Sequence, residues 1–131
     1  MKKILKVFAL FITLTLVVII SLFMYLADGM CGNKIYKEYL SPDQLFKAVV
    51  FQRDCGTTTG FQTHISILDS KEILANEGGN IFIIRGRPDD VAPLLKWTGH
   101  KVLHIKHTLN GDEIKSKSKF GYFQSVKIIY N

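Results

Sequence analysis

The stretch Phe51-Gln-Arg-Asp-Cys-Gly-Thr-Thr-Thr-Gly60, running on as Phe61-Gln-Thr-His-Ile-Ser-Ile-Leu68, decides how this chain is read. Its first residues close an apolar run, Ala48-Val-Val-Phe51, with no alternation, which predicts a strand buried on both faces. After the glycine- and threonine-rich loop, residues 63–68 alternate. Ile65 and Ile67 share one face, with His64 and Ser66 on the other. Two strands joined by such a loop make a hairpin, and the chain on either side extends that pattern.

Downstream, residues 80–85 form the most apolar strand of this part, and Gly86-Arg-Pro-Asp-Asp90 breaks it. Residues 91–97 and 102–107 read as a strand pair, and Asn110-Gly111 as a two-residue hairpin turn into a strand over 112–119. Residues 122–130 close the chain with Val126, Ile128 and Tyr130 on one face. Upstream, residues 35–40 and 45–52 are strands around the turn Ser41-Pro-Asp-Gln44. Residues 70–75 have at most the makings of one short, weak helical turn, and no credible helix is expected after the N-terminal segment. Six to eight short strands with turn signals between them predict a mostly β domain. Its form would be a small antiparallel meander, closed as a barrel-like sheet or a sandwich.

The N-terminal segment is of another kind. Residues 7–27 carry no charge and only Thr13, Thr15 and Ser21 as polar interruptions. As a helix they span about 31 Å, the hydrocarbon thickness of a bilayer. Lys2, Lys3 and Lys6 precede them and Asp28 follows, which puts the N-terminus in the cytoplasm and the rest outside. Three readings compete: an uncleaved anchor, a cleaved signal ending at Ala27-Asp28-Gly29, and a lipoprotein modified at Cys31. The apolar run exceeds the core of a signal peptide, which favours the anchor. Met30 is a poor neighbour for a lipid-modified cysteine. The expected division is residues 1–27 as cytoplasmic lysines and transmembrane helix, and 28–131 as an exported domain, periplasmic or extracellular.

Charge and cysteine count bound the function. The formal net charge is +6. Without the three N-terminal lysines, 14 of the 17 basic residues face 11 acidic ones, leaving +3. That is weak for a nucleic-acid binder, and export argues further against one. The two cysteines, Cys31 and Cys55, both fall outside the membrane, where an even count predicts one disulfide. Closing a loop of this size stabilises the fold by roughly 3–4 kcal/mol in the chain-entropy picture.

The runs Cys31-Gly-Asn33, Ser41-Pro-Asp43, Lys47-Ala-Val-Val-Phe51, Arg53-Asp-Cys-Gly-Thr-Thr-Thr-Gly60, His64-Ile-Ser-Ile67 and Gly79-Asn-Ile-Phe82 resemble a family of short bacterial proteins of unknown function. Its members have one N-terminal hydrophobic segment and one small domain. The likeness covers most of residues 31–107. Where the family has glycine after Ser-Pro-Asp and alanine after Cys-Gly, this chain has Gln44 and Thr57. The resemblance implies an envelope protein and supplies no activity.

The constellations that invite chemistry each have a plainer reading. A Cys55 thiolate beside Arg53 and near His64 would be nucleophilic, the basis of an alternative as a small hydrolase or thiol-dependent enzyme. Pairing with Cys31 removes that thiolate and leaves Arg53 and Asp54 as braces or rim ion pairs. Gly56-Thr-Thr-Thr-Gly60 lacks the Lys-Ser/Thr ending and following helix of a phosphate loop. His100, His104 and His107 do not share one strand face, so no metal centre is expected. Asp89-Asp90 after Pro88 shape a turn, Trp97 belongs to a core, and Lys115-Ser-Lys-Ser-Lys119 places three lysines along one exposed edge strand. That edge suits anionic headgroups or cell-wall polymer. No cofactor is implied. The resulting expectation is a membrane-anchored, non-enzymatic envelope domain, with Arg53, Asp54, Thr57, Thr58, Thr59 and His64 as the candidate binding loop. Its partners would be the membrane through the anchor and an envelope protein, cell-wall or lipid component, with no nucleic acid.

Overall fold

The structure is a computed structural model that describes residues 1–56 and 59–131, with residues 27 and 28 described in backbone only. The chain divides into two compact units, Met1–Met30 and Cys31–Asn131.

The first unit is a single helix, α1 (Lys2–Asp28). Its 25 residues Lys2–Leu26 are long and apolar enough to cross a membrane, a description that a signal sequence also meets. The two threonines do not spoil that surface. The Thr13 and Thr15 hydroxyls donate to the carbonyls of Leu10 and Phe11, both at 2.8 Å, so their polar groups are satisfied within the helix.

The second unit is mostly β, and its nine described strands form two sheets around one core. The first sheet has the order β1 (Gly32–Leu40), β2 (Phe46–Asp54), β3 (Phe61–Asp69), β4 (Phe82–Arg85) and β7 (Lys115–Ser116), antiparallel throughout. The second runs β5 (Leu94–Trp97), β6 (Val102–Lys106), β9 (Val126–Tyr130) and β8 (Lys119–Phe120). The sheets do not close into a barrel. One pairing, β6 with β9, is parallel. The domain is otherwise the mostly antiparallel, meander-like β fold expected, and the parallel pair arises because the chain leaves the second sheet after β6, visits the first through β7, and returns.

Alternation explains which side chains meet between the sheets. Ala48 and Val50 of β2, Ile65 and Ile67 of β3 and Phe82 of β4 pack against Leu95, Leu103, Ile105, Val126 and Ile128 of the second sheet. Trp97 joins this core and donates its indole N–H to the carbonyl of Tyr39 at 2.8 Å. The opposite face of β2 is also covered. Val49, Phe51 and Leu68 form a second cluster against Leu74, which belongs to the connection 70–81. That connection is a strap across the outer face of the first sheet, and it is why β2 lacks alternation.

Three other local expectations are corrected. A one-turn helix, α2 (Pro88–Val91), stands where a simple break was expected, started by a proline already set to a helical φ. Residues 70–75, with only a weak helical signal, form no helix. Asn110-Gly111 does not turn a hairpin, because β6 and β7 lie in different sheets. Asn110 instead makes a local turn, its Oδ1 accepting from the Asp112 amide at 3.1 Å. The lysine run is not one edge strand but two short ones, β7 and β8, on different sheets.

Candidate functional site

The register of β1 on β2 puts Gly32 opposite Asp54, so the residues just beyond, Cys31 and Cys55, face one another at the end of the ladder. They are joined by a disulfide spanning 24 residues. One step inward, Asn33 lies opposite Arg53, and Arg53 lies opposite Gln62 of β3. Two steps further along β3 is His64, opposite Phe51. These side chains share the outer face of the first sheet, under the strap.

Arg53 is 7 % exposed and braces this corner. Its Nη1 donates to Asn33 Oδ1 at 2.7 Å and to Asn76 Oδ1 of the strap at 3.2 Å. Asn33 in turn donates to the carbonyls of Ala75 and Glu77 at 3.0 and 2.8 Å. Asn76 donates to the carbonyl of Cys31 at 2.8 Å. The disulfide, strands β1 and β2 and the strap are thus closed into one hydrogen-bonded ring. Burying a guanidinium is costly unless such partners satisfy it.

His64 is 2 % exposed, its ring tilted against Phe51 at 5.3 Å between centroids. The amide of Gly79 donates to Nδ1 at 2.8 Å, so the ring proton sits on Nε2, which donates to Gln62 Oε1 at 3.0 Å. Burial, followed by the positive charges of Arg53 and Lys115, pushes its pKa down to about 4. The imidazole is therefore neutral at physiological pH. Lys115 crosses from β7 to donate to the carbonyl of Gly79 at 2.8 Å. Beyond it, Asn80 acts as a strand mimic, accepting from the amide of Ile67 and donating to its carbonyl at 2.9 and 2.8 Å.

The predicted loop residues therefore separate. Arg53 and His64 are buried on the outer face beneath the strap and hold it, which corrects the expectation that they are displayed. Asp54 and Thr59 are exposed. Asp54 accepts from the Gly56 amide at 2.9 Å, and Thr59 donates from both its amide and its hydroxyl to the Gly56 carbonyl at 3.4 Å. Thr57 and Thr58 lie outside the described residues. Asn33, Asn76, Gly79 and Asn80 were not marked as site residues in the sequence, and Lys115 was read only as part of an exposed lysine edge. The signal that pointed to part of this set was the pair of runs Cys31-Gly-Asn33 and Gly79-Asn-Ile-Phe82.

The histidines sit apart. His100 is exposed in the β5–β6 connection, with Nδ1 3.6 Å from Asp43 Oδ2. His104 faces outward on β6. His107 donates to Glu113 Oε1 at 2.6 Å, and this hydrogen bond pulls the Glu113 carboxyl down to about 2 against the opposing effect of burial. Among the described residues no group of three or more His, Cys, Asp or Glu side chains is placed to hold a metal ion. No family model matches the chain, nor does any curated protein or solved structure.

Proposed function

We propose that this chain is a single-pass membrane protein, N-terminus in the cytoplasm, whose disulfide-stapled β domain lies outside and binds another component of the cell envelope without catalysis. The observation that carries the reading is the contrast at residues 53–60. The base of the loop is held by the Cys31–Cys55 bond and the Arg53–Asn33–Asn76 ring, while Asp54 and Thr59 are exposed. A loop pinned at its base loses little conformational entropy when it docks, which favours recognition. The cysteine pairing suits an oxidising compartment, and the lysines before α1 suit an inside N-terminus.

The thiol-enzyme alternative needs a free thiolate at Cys55 and a basic lone pair on His64. Cys55 is bonded to Cys31, and the His64 lone pair accepts from Gly79. A photo-crosslinking residue introduced at Thr59, with a second at the exposed Glu72 as control, tests the binding reading in intact cells. A discrete adduct at position 59 alone is expected. Indistinguishable patterns at the two positions would reject the loop as the contact surface.

A further inference from the structure

The acidic residues of the β domain are unevenly placed. Segments 94–106 and 117–131, which supply every strand of the second sheet with its two hairpin connections, contain six lysines and no Asp or Glu. The remainder of Cys31–Asn131 has eight basic residues against ten acidic. The second sheet therefore concentrates the positive charge of a domain that is otherwise slightly acidic.

Alternation and register fix where that charge points. Leu95, Leu103, Ile105, Val126 and Ile128 fill the core, so their neighbours in sequence face out. Lys96 pairs with His104, which pairs with Ile129. Leu94 pairs with Lys106. Val102 pairs with Lys127, and Lys127 with Lys119. Every row of the outer face thus carries at least one lysine beside an apolar side chain. A shallow groove of about 620 Å³ crosses the β5–β6 side of this sheet between Leu94, Lys96, His104, Lys106 and Asn131. Among the described residues, the carboxylate that approaches the sheet from elsewhere in an ion pair is Asp43, at the rim beside His100.

A second observation narrows the partner. The β8–β9 connection, whose stems carry Lys119 and Lys127, ends in Tyr122 and Phe123, which are 94 % and 103 % exposed. Leu94, within the basic face, is 63 % exposed. Bare aromatic side chains next to lysines are the chemistry of a bilayer interface, where rings enter the headgroup layer and ammonium groups meet lipid phosphates. Polyphosphate or duplex DNA has a use for the lysines but none for an aromatic tip of this kind.

We propose that the outer face of the second sheet, with the Tyr122–Phe123 tip, docks on an anionic phospholipid surface. This rests on the reading of α1 as a membrane anchor, which keeps the domain beside a bilayer and makes a modest affinity effective.

The test uses the full chain, captured through α1 in lipid nanodiscs of phosphatidylcholine alone or with added phosphatidylglycerol. Lysine acylation is followed residue by residue by mass spectrometry. Lys96, Lys106, Lys119 and Lys127 are expected to react at least about fivefold more slowly on the anionic discs, the factor that one lysine near such a surface supplies. Lys34 and Lys71 should react alike on both, and molar salt should abolish the protection. In the Y122S/F123S variant, protection at Lys119 and Lys127 should fall while thermal stability is unchanged. Equal reactivity on both discs would overturn the proposal. Protection of these lysines by polyphosphate or duplex DNA, with none on anionic discs, would overturn it in favour of a soluble polyanion. Failure of the chain to remain with the discs would count against the anchor reading instead.

Discussion

The amide of Gly79 donates to Nδ1 of His64 across 2.8 Å, and that bond joins the strap to the middle of the first sheet. It also sets the chemistry of the histidine. An imidazole whose lone pair is already used, in a buried place beside two cations, is held neutral and serves as an acceptor.

The glycine is required by space. A Cβ at position 79 would lie 2.9 Å from the carbonyl oxygens of Ile65 and Phe82 and 3.0 Å from the amide nitrogen of Ile65. These are backbone atoms of the sheet and its entry, and they have little room to give. Gly79→Ala is expected to destabilise the domain by at least about 2 kcal/mol through overpacking, seen as a lower midpoint in urea. Gly78→Ala is the control. Its Cβ would meet the His64 ring at an ordinary 3.7 Å, so its midpoint should move far less.

The same histidine predicts an acid limit. Its pKa falls from an ordinary 6.5 to about 4 on folding, so between those values the unfolded chain holds the extra proton. The contribution to stability is complete above about pH 6.5 and is lost as pH falls toward 4. A shift of this size corresponds to on the order of 3 kcal/mol. Denaturant midpoints measured from pH 7.5 to 4 should decline across that window. His64→Gln should be less stable at neutral pH yet flatter between pH 6.5 and 4. A wild-type profile with no slope there would refute the role assigned to the ring.

Much of the fold was legible because β2 and β3 announce themselves. The unbroken apolar run at Ala48–Phe51 foretold burial on both faces, and the alternation through His64–Ile67 assigned each side chain to its face. What covered the outer face was not legible. The strap 70–81 is polar in sequence and covers the sheet with few apolar side chains, bonding through Asn76, Gly79 and Asn80 to atoms that are distant in the chain. Periodicity carries no information about such bonds. For the same reason Arg53 and His64 read as members of a displayed binding loop, when both are buried fasteners. Asn33, Arg53, His64, Gly79 and Asn80 all take part in holding the strap. Lys115–Lys119 misled for a topological reason, since the chain changes sheets between β7 and β8.

The β1–β2 turn offers a gain in stability. Ser41 accepts from the Phe46 amide at 3.0 Å and donates to Asp43 Oδ1 at 2.6 Å, and Gln44 closes the turn at a φ of 59°. That left-handed conformation costs a residue with a Cβ roughly 1–2 kcal/mol, while glycine adopts it freely. Gln44→Gly gives back part of this advantage through the larger entropy of the unfolded chain. A net stabilisation of about 0.5–1 kcal/mol is expected in denaturant melts.

The Cys31–Cys55 bond and the Arg53 ring both hold the same corner, and removing one tests how far the other suffices. The bond spans 24 residues, for which loop-closure entropy assigns about 3.5 kcal/mol. The C31S/C55S protein is therefore expected to melt at lower denaturant while keeping its fold, because the core between the sheets includes neither cysteine. Asn76 should still hold the Cys31 position, since it bonds the backbone carbonyl and not the sulfur. The strap then stays protected in hydrogen exchange even as global stability falls. Adding Arg53→Met removes the donor shared by Asn33 and Asn76 and leaves their oxygens without it. The combined variant should lose strap protection at residues 75–80 and fall in stability by more than the two separate losses together, because both act on one corner. Strict additivity would show that the disulfide and the ring work independently.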